Sequence, residues 1–235
     1  MKNTSTKRKS RKQLQRKRRR RKLIRLFLIL ILIFLVLTTI ILGFFGARHI
    51  YHTFFNKVDI VLDAGHGGKD PGANINDVIE KDITLQIAQM TREILEDAGY
   101  SVAMTRNDDT FIELTERSVC ANNKNADIFV SIHCNSSEDA IGKGIETYYT
   151  EQKGTSSESL AKELQNALIE HTDAENRDVK TADYTVLVRT TMPSALVEVG
   201  FLTDSEEREL LVQEKYQKKL AEGIAEGIIN YYSID

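Results

Sequence analysis

Apolar residues follow two regimes along this chain. From Leu26 to Phe45 the sequence LFLILILIFLVLTTIILGFF carries no charge at all. Beyond Val58, short apolar runs alternate with longer stretches in which apolar residues recur at helical spacing. The runs Val58–Asp63, Tyr100–Arg106, Ala126–Cys134, Gly144–Thr150 and Ser194–Val199 read as strands. Helices are predicted over Asp82–Ala98, where Ile83, Ile87, Met90, Ile94 and Leu95 recur before Gly99, and over Glu113–Asn122. Further helices are predicted over Ser156–Glu170, Ser205–Val212 and Glu214–Tyr231. Strands alternating with helices of this length predict an α/β fold, with a mainly parallel sheet covered on both faces.

The uncharged run is of another kind. Twenty residues at 1.5 Å rise make a helix of about 30 Å, the hydrocarbon thickness of a bilayer. A helix apolar all round needs burial on every side, which a domain of this size can hardly offer. Residues 26–45 are therefore expected to form a transmembrane helix. A cleaved signal peptide is the competing reading, but its apolar core is usually shorter, and Gly43-Phe44-Phe45-Gly46-Ala47 is a poor cleavage site.

Charge sharpens the division. The net charge of −2 averages two unlike objects. Residues 1–25 hold fourteen Lys/Arg and no acid, whereas from Val58 onward 34 acids face 16 basic residues. An arginine-rich tail can bind nucleic acid. Beside an apolar span it instead orients the chain, with residues 1–25 cytoplasmic and the C-terminal domain, 58–235, outside the cell. Residues 46–57 form the linker; its His49 and His52 sit among aromatics of the kind found at membrane interfaces. Cys120 and Cys134 are too few for a disulfide framework and read as small buried apolar groups. Cys134 should face away from its neighbour His133.

Candidate chemistry begins at IVLDAGHGGKDPG, residues 60–72, where a buried strand runs into a glycine-rich loop carrying His66. By itself this reads equally as a tight turn with an incidental histidine. It is not a phosphate cradle, since Asp70 and Pro71 follow Gly68-Lys69 where Ser/Thr and a helix are needed. Glu80 opens the first long helix, where an acid also complements the helix dipole. His133 ends the run FVSI, where a lone histidine is more often a hydrogen-bonded core residue than a ligand. Glu198 interrupts ALVEV, which should be sheet core, and a carboxylate there is protonated, paired or functional. If the strands are parallel, His66, His133 and Glu198 meet at one sheet edge. Two imidazoles and a carboxylate with an open position make a catalytic zinc set, with Glu198 left to move the proton of a water. Mg²⁺ or Ca²⁺ would favour oxygen donors.

These residues carry a resemblance. The blocks IVLDAGHGGKDPGA, IEKDITLQIA, TRNDDTFIELTERSVCAN, DIFVSIHCNSS, GIETYY, VKTADYTVLV and MPSALVEVGFLTD resemble those of the amidase_3 family of zinc-dependent N-acetylmuramoyl-L-alanine amidases, in the family's order. The resemblance implies a mostly parallel six-stranded sheet with helices on both faces and cleavage of peptidoglycan between N-acetylmuramic acid and L-alanine. It implies Zn²⁺ held by His66, Glu80 and His133, with Glu198 as the catalytic acid/base. Ala64 replaces a usual proline. Val188 stands where the family usually has an arginine, which makes Arg189 a doubtful substrate-binding candidate. Peptidoglycan and a lipid bilayer are the expected partners, nucleic acid is not, and an activator protein is left open. A silent cell-wall-binding scaffold would lack one of the four site residues, and all are present. A zinc peptidase acting on cross-bridge peptides shares the metal chemistry and is opposed by the family resemblance alone.

Overall fold

A computed structural model describes residues 22–23, 30–31, 33–43, 57–137 and 142–234. The chain divides into two compact units, Met1–Phe55 and Asn56–Asp235. In the first, the described residues are helical, and apolar side chains such as Leu30, Phe34 and Leu42 are exposed. The expected basic tail (1–25) and linker (46–57) fall largely outside the described residues, which cover residues 30–31 and 33–43 of the expected membrane span (26–45). Among those described, no helix is long and apolar enough to cross a membrane.

The second unit is built on a six-stranded sheet. Its strands are β1 (Ile60–Ala64), β4 (Val102–Met104), β5 (Ile128–Asn135), β6 (Ile145–Tyr149), β7 (Asn176–Thr181) and β8 (Ser194–Phe201), in the order β4-β1-β5-β8-β6-β7. The first four in that order run parallel. β6 is antiparallel to β8, and β7 follows the direction of β6. A separate hairpin pairs β2 (Asn74–Ile75) with β3 (Val78–Ile79). Asn76 and Asp77 form its two-residue turn, both at positive φ, as a tight hairpin demands.

Strand alternation divides the side chains between two faces. Ile60, Leu62, Ile128, Val130, Ile132, Ile145, Ala195 and Val197 point to one. There they pack against α1 (Glu80–Asp97), α3 (Thr155–Thr172) and α6 (Glu214–Ile234). Cys134 lies in this core, one position from His133 and on the opposite face, as expected. The other face carries Val61, Phe129 and Leu196, covered by the short helices α2 (Leu114–Asn123) and α4 (Thr185–Arg189). A last helix, α5 (Ser205–Leu211), follows β8. Cys120 corrects the expectation of burial. It is only half-buried, because α2 turns Arg117, Ser118 and Ala121 inward and leaves Cys120 beside that stripe.

Candidate active site

β1 and β5 are neighbours, yet the chain visits β4 between them, so the sheet reverses its winding there. Such a switch point leaves a crevice at the carboxyl ends of the strands. His66 follows β1, and His133 lies near the end of β5. Glu80 enters from the first residue of α1. Its Oε1 lies 3.0 Å from His66 Nε2 and 3.0 Å from His133 Nδ1. One donor atom from each residue falls within 4.8 Å of the others, so these three could hold a metal ion.

Backbone and buried groups fix this geometry. His66 has φ 60, a left-handed conformation that places its ring over the crevice loop. Its Nδ1 meets Asp70 Oδ2 at 2.9 Å, leaving Nε2 toward Glu80. Asp70 is held in turn by the Gly72 amide and by paired backbone bonds with Gly67. Glu80 Oε1 also accepts from the Cys134 amide at 3.0 Å, and Oε2 from the Ala73 amide at 2.9 Å. Two glycines make the close approach possible. A Cβ on Gly65 would stand 2.4 Å from the His133 ring, and one on Gly72 2.5 Å from Glu80 Oε2.

Behind the loop sit two buried arginines. Arg106 donates to the carbonyls of Ala64, Gly65 and Lys81. Arg117 donates to Asp63 Oδ1 and to the carbonyls of Ala64 and His66. The carbonyls that the loop turns inward thus have partners, as buried backbone groups require.

Glu198 stands directly opposite His133 across β5 and β8. Its Oε2 is enclosed and has no hydrogen-bond partner among the described residues. Burial, reinforced by the neighbouring carboxylates Glu80 and Glu146 and opposed by His133, raises its pKa to about 7. Burial also pushes Glu80 upward, but the hydrogen bonds of the two histidine rings outweigh it and hold that carboxyl far below its usual range. His66 is raised above the ordinary imidazole value, since Glu80 and Asp70 outweigh its burial. The two carboxyl groups of the crevice are thereby separated into an anion facing the imidazoles and a group able to exchange a proton near neutrality.

Arg189 is not brought to this cluster. It is exposed at the last turn of α4, and its carbonyl accepts from Asn122 near the end of α2, toward the opposite edge of the sheet. Val188, ahead of it, is half-buried.

Sequence reasoning missed Glu146, which lies directly opposite Glu198 on β6. Asn135 and Tyr148 donate to its Oε1, Arg177 and Lys180 to its Oε2. Burial pushes this carboxyl up, but those bonds prevail and its pKa is lowered. The acid within the alternating strand GIETYY was the available signal. Asp70 was missed too, although its distance of four residues from His66 marks it as a partner.

The fold is that of a family of hydrolases: residues 60–230 match the N-acetylmuramoyl-L-alanine amidase family, Amidase_3. The chain belongs to this family, whose members hydrolyse peptidoglycan. It is similar to YqiI of Bacillus subtilis, an uncharacterised protein, with 40% identity over 174 residues, covering 74% of this chain and 84% of the relative. It is 37% identical to the N-acetylmuramoyl-L-alanine amidase LytC of the same organism, over 74% of this chain and 35% of that longer protein. The crystal structure of an N-acetylmuramoyl-L-alanine amidase from Clostridium difficile 630 superposes with a TM-score of 0.73 at 36% identity, covering 76% of this chain and 98% of the other.

Proposed function

We infer that this amidase is zinc-dependent and tethered to the cell membrane through residues 26–45, with residues 1–25 cytoplasmic and residues 58–235 outside the cell. One observation carries the chemistry: two imidazoles and a carboxylate converge opposite a carboxylate oxygen that has no partner among the described residues. His66, Glu80 and His133 would hold the ion, a set of three nitrogen and oxygen donors that fits a hydrolytic zinc site. Bound there, zinc supplies Lewis acidity that polarises the scissile carbonyl and acidifies a water. Asp70 accepts the Nδ1 proton of His66, which fixes the tautomer and turns the Nε2 lone pair toward the donor set. Glu198 takes a proton from the attacking water and returns it to the departing amine of L-alanine. The tether is supported by the uncharged run and the one-sided charge around it.

The test uses the full-length chain in detergent with purified muropeptides, with and without chelator. The expected products are a muramic acid with a free lactyl carboxylate and a peptide with a free L-alanine amine, identified by mass. Chelation should stop the reaction and zinc restore it. Cuts within the peptide, or indifference to chelator, would overturn the reading. Protease shaving of intact cells, with detection of residues 58–235, tests the orientation.

A further inference from the structure

The row of chemistry does not stop at Glu198. β5, β8, β6 and β7 are consecutive in the sheet, and His133 opposes Glu198, which opposes Glu146. Directly opposed residues share a face, so Glu146 shares the crevice side with Glu198. Arg177 and Lys180 on β7 reach back over β6 to the same Glu146 oxygen. Their apolar supports are the ring of Phe201, 5.0 Å from the Arg177 guanidinium, and the ring of Tyr148, 6.0 Å from Lys180 Nζ.

One cation is enough to neutralise one buried carboxylate, and here there are two. Glu146 is 3% exposed, whereas Arg177 and Lys180 are 32% and 38% exposed. Of the Arg177 nitrogens, Nε serves Glu146 and Nη1 the Lys143 carbonyl, and Nη2 has no hydrogen-bond partner among the described residues. The surplus positive charge therefore faces solvent along the crevice, held by a buried anion that cannot follow it outward.

We propose that Arg177 and Lys180, presented by Glu146, form a subsite for a carboxylate of the peptide that the reaction releases. The inference rests on the amidase reading above and names which part of the substrate this edge reads. Adjacent strands are about 4.8 Å apart, so β7 lies roughly 10 Å from β8. An extended peptide advances about 3.3–3.6 Å per residue, which puts its second and third residues roughly 7–10 Å from the cut bond. Peptidoglycan stem peptides carry carboxylates over that distance. A guanidinium beside an ammonium suits such a group, the first by directed paired bonds and the second as a point charge.

The test compares two synthetic muramoyl-peptides that differ only in bearing carboxylates or carboxamides at the second and third residues. The variants are Lys180→Gln and Arg177→Gln in the full-length chain. Each leaves Glu146 one cation, and if Arg177→Gln lowers the melting temperature, Lys180→Gln decides alone. The native protein should show a KM about tenfold lower for the carboxylate form, in line with the typical worth of a charged hydrogen bond. Lys180→Gln should raise that KM toward the carboxamide value, closing the difference between the two substrates, with the loss read in KM rather than in kcat. A native protein without preference, or a variant that keeps it, overturns the subsite. Calorimetric binding of the two sugar-free peptides separates this failure from failure of the amidase reading. A carboxylate preference in binding, lost in Lys180→Gln, upholds the subsite even if neither muramoyl-peptide is cut.

Discussion

Arg117 and Asp63 form an ion pair of 2.9 Å in which neither side chain is more than 2% exposed. Asp63 is the last residue but one of the buried strand β1, and Arg117 comes from α2. The same guanidinium nitrogen donates to the Ala64 carbonyl and Nη2 donates to that of His66, so the side chain ties strand, helix and loop together. Thr105 and Ser131 complete the acceptor sites of Asp63.

Arg117→Met should therefore destabilise the domain by about 3–5 kcal/mol, because it leaves a buried carboxylate unpaired. Urea unfolding checks the size. Burial pushes Asp63 up, but Arg117 and the two hydroxyls prevail and its pKa is lowered. Its stabilisation is thus complete above the unfolded aspartate value of about 4 and is lost as pH falls through the lower folded value. Asp63→Asn should be less stable at neutral pH and lose less on acidification. An unchanged acid dependence would contradict the assignment.

Glu198→Gln should keep metal and lose turnover by at least ~10²–10⁴-fold, the usual cost of removing a general acid/base. His133→Ala should lose both metal and activity. Elemental analysis beside hydrolysis rates separates the roles. A metal-free Glu198→Gln protein would move Glu198 into the ligand set.

The metal-free protein offers a second reading of Glu198. With a folded value near 7 and an unfolded value near 4.3, the folded state holds the extra proton between them. Stability then falls as pH rises through that window. Glu198→Gln should remove this fall and make the chelated protein on the order of 1–3 kcal/mol more stable at pH 8 than the native sequence. Equal slopes for the two proteins between pH 4 and 8 would count against the raised value.

Gly65→Ala and Gly72→Ala should both reduce metal affinity while the second unit remains folded. The added methyl enters the His133 ring in one case and meets Glu80 Oε2 in the other, with Gly72 also at φ +66. Displacing a ligand's support typically costs ~10–100-fold in metal affinity. Competition with a fluorescent chelator measures it, and circular dichroism confirms the fold. Native affinity in both variants would mean that the loop has more room than this geometry allows.

A chain beginning at Val58 should be soluble, folded and active on muropeptides. The composition changes abruptly there, and both cores draw their residues from Val58 onward. Sedimentation, circular dichroism and turnover test the boundary. Aggregation with loss of bound metal would place part of the domain upstream.

The elements that bury apolar residues were legible within a few positions. β1, β5 and β8 are continuous apolar runs, and α1 and α3 repeat at helical spacing. His66 and Glu198 stood out because each breaks such a pattern, one inside a glycine loop and the other inside sheet core. β7 did not stand out. It is an edge strand whose sequence, NRDVKT, has half-buried and exposed positions and satisfies its polar residues sideways through Glu146. Arg106 and Arg117 were equally silent, since their work is done on backbone carbonyls that a sequence does not display. Parallel pairing of β1, β5 and β8 puts His66, His133 and Glu198 at one sheet edge, as the pattern implied, and the reversal of β6 went unread.

That reversal has a consequence for the shape of the groove. β6 and β7 present their amino-terminal ends to the edge where the other strands present their carboxyl ends. The rim on this side is therefore made by chain entering a strand, as in the short connection from Thr172 to Asn176. None of the three proposed metal donors, nor Glu198, lies within that connection. A change of length or charge there would alter the groove's rim without touching His66, Glu80, His133 or Glu198.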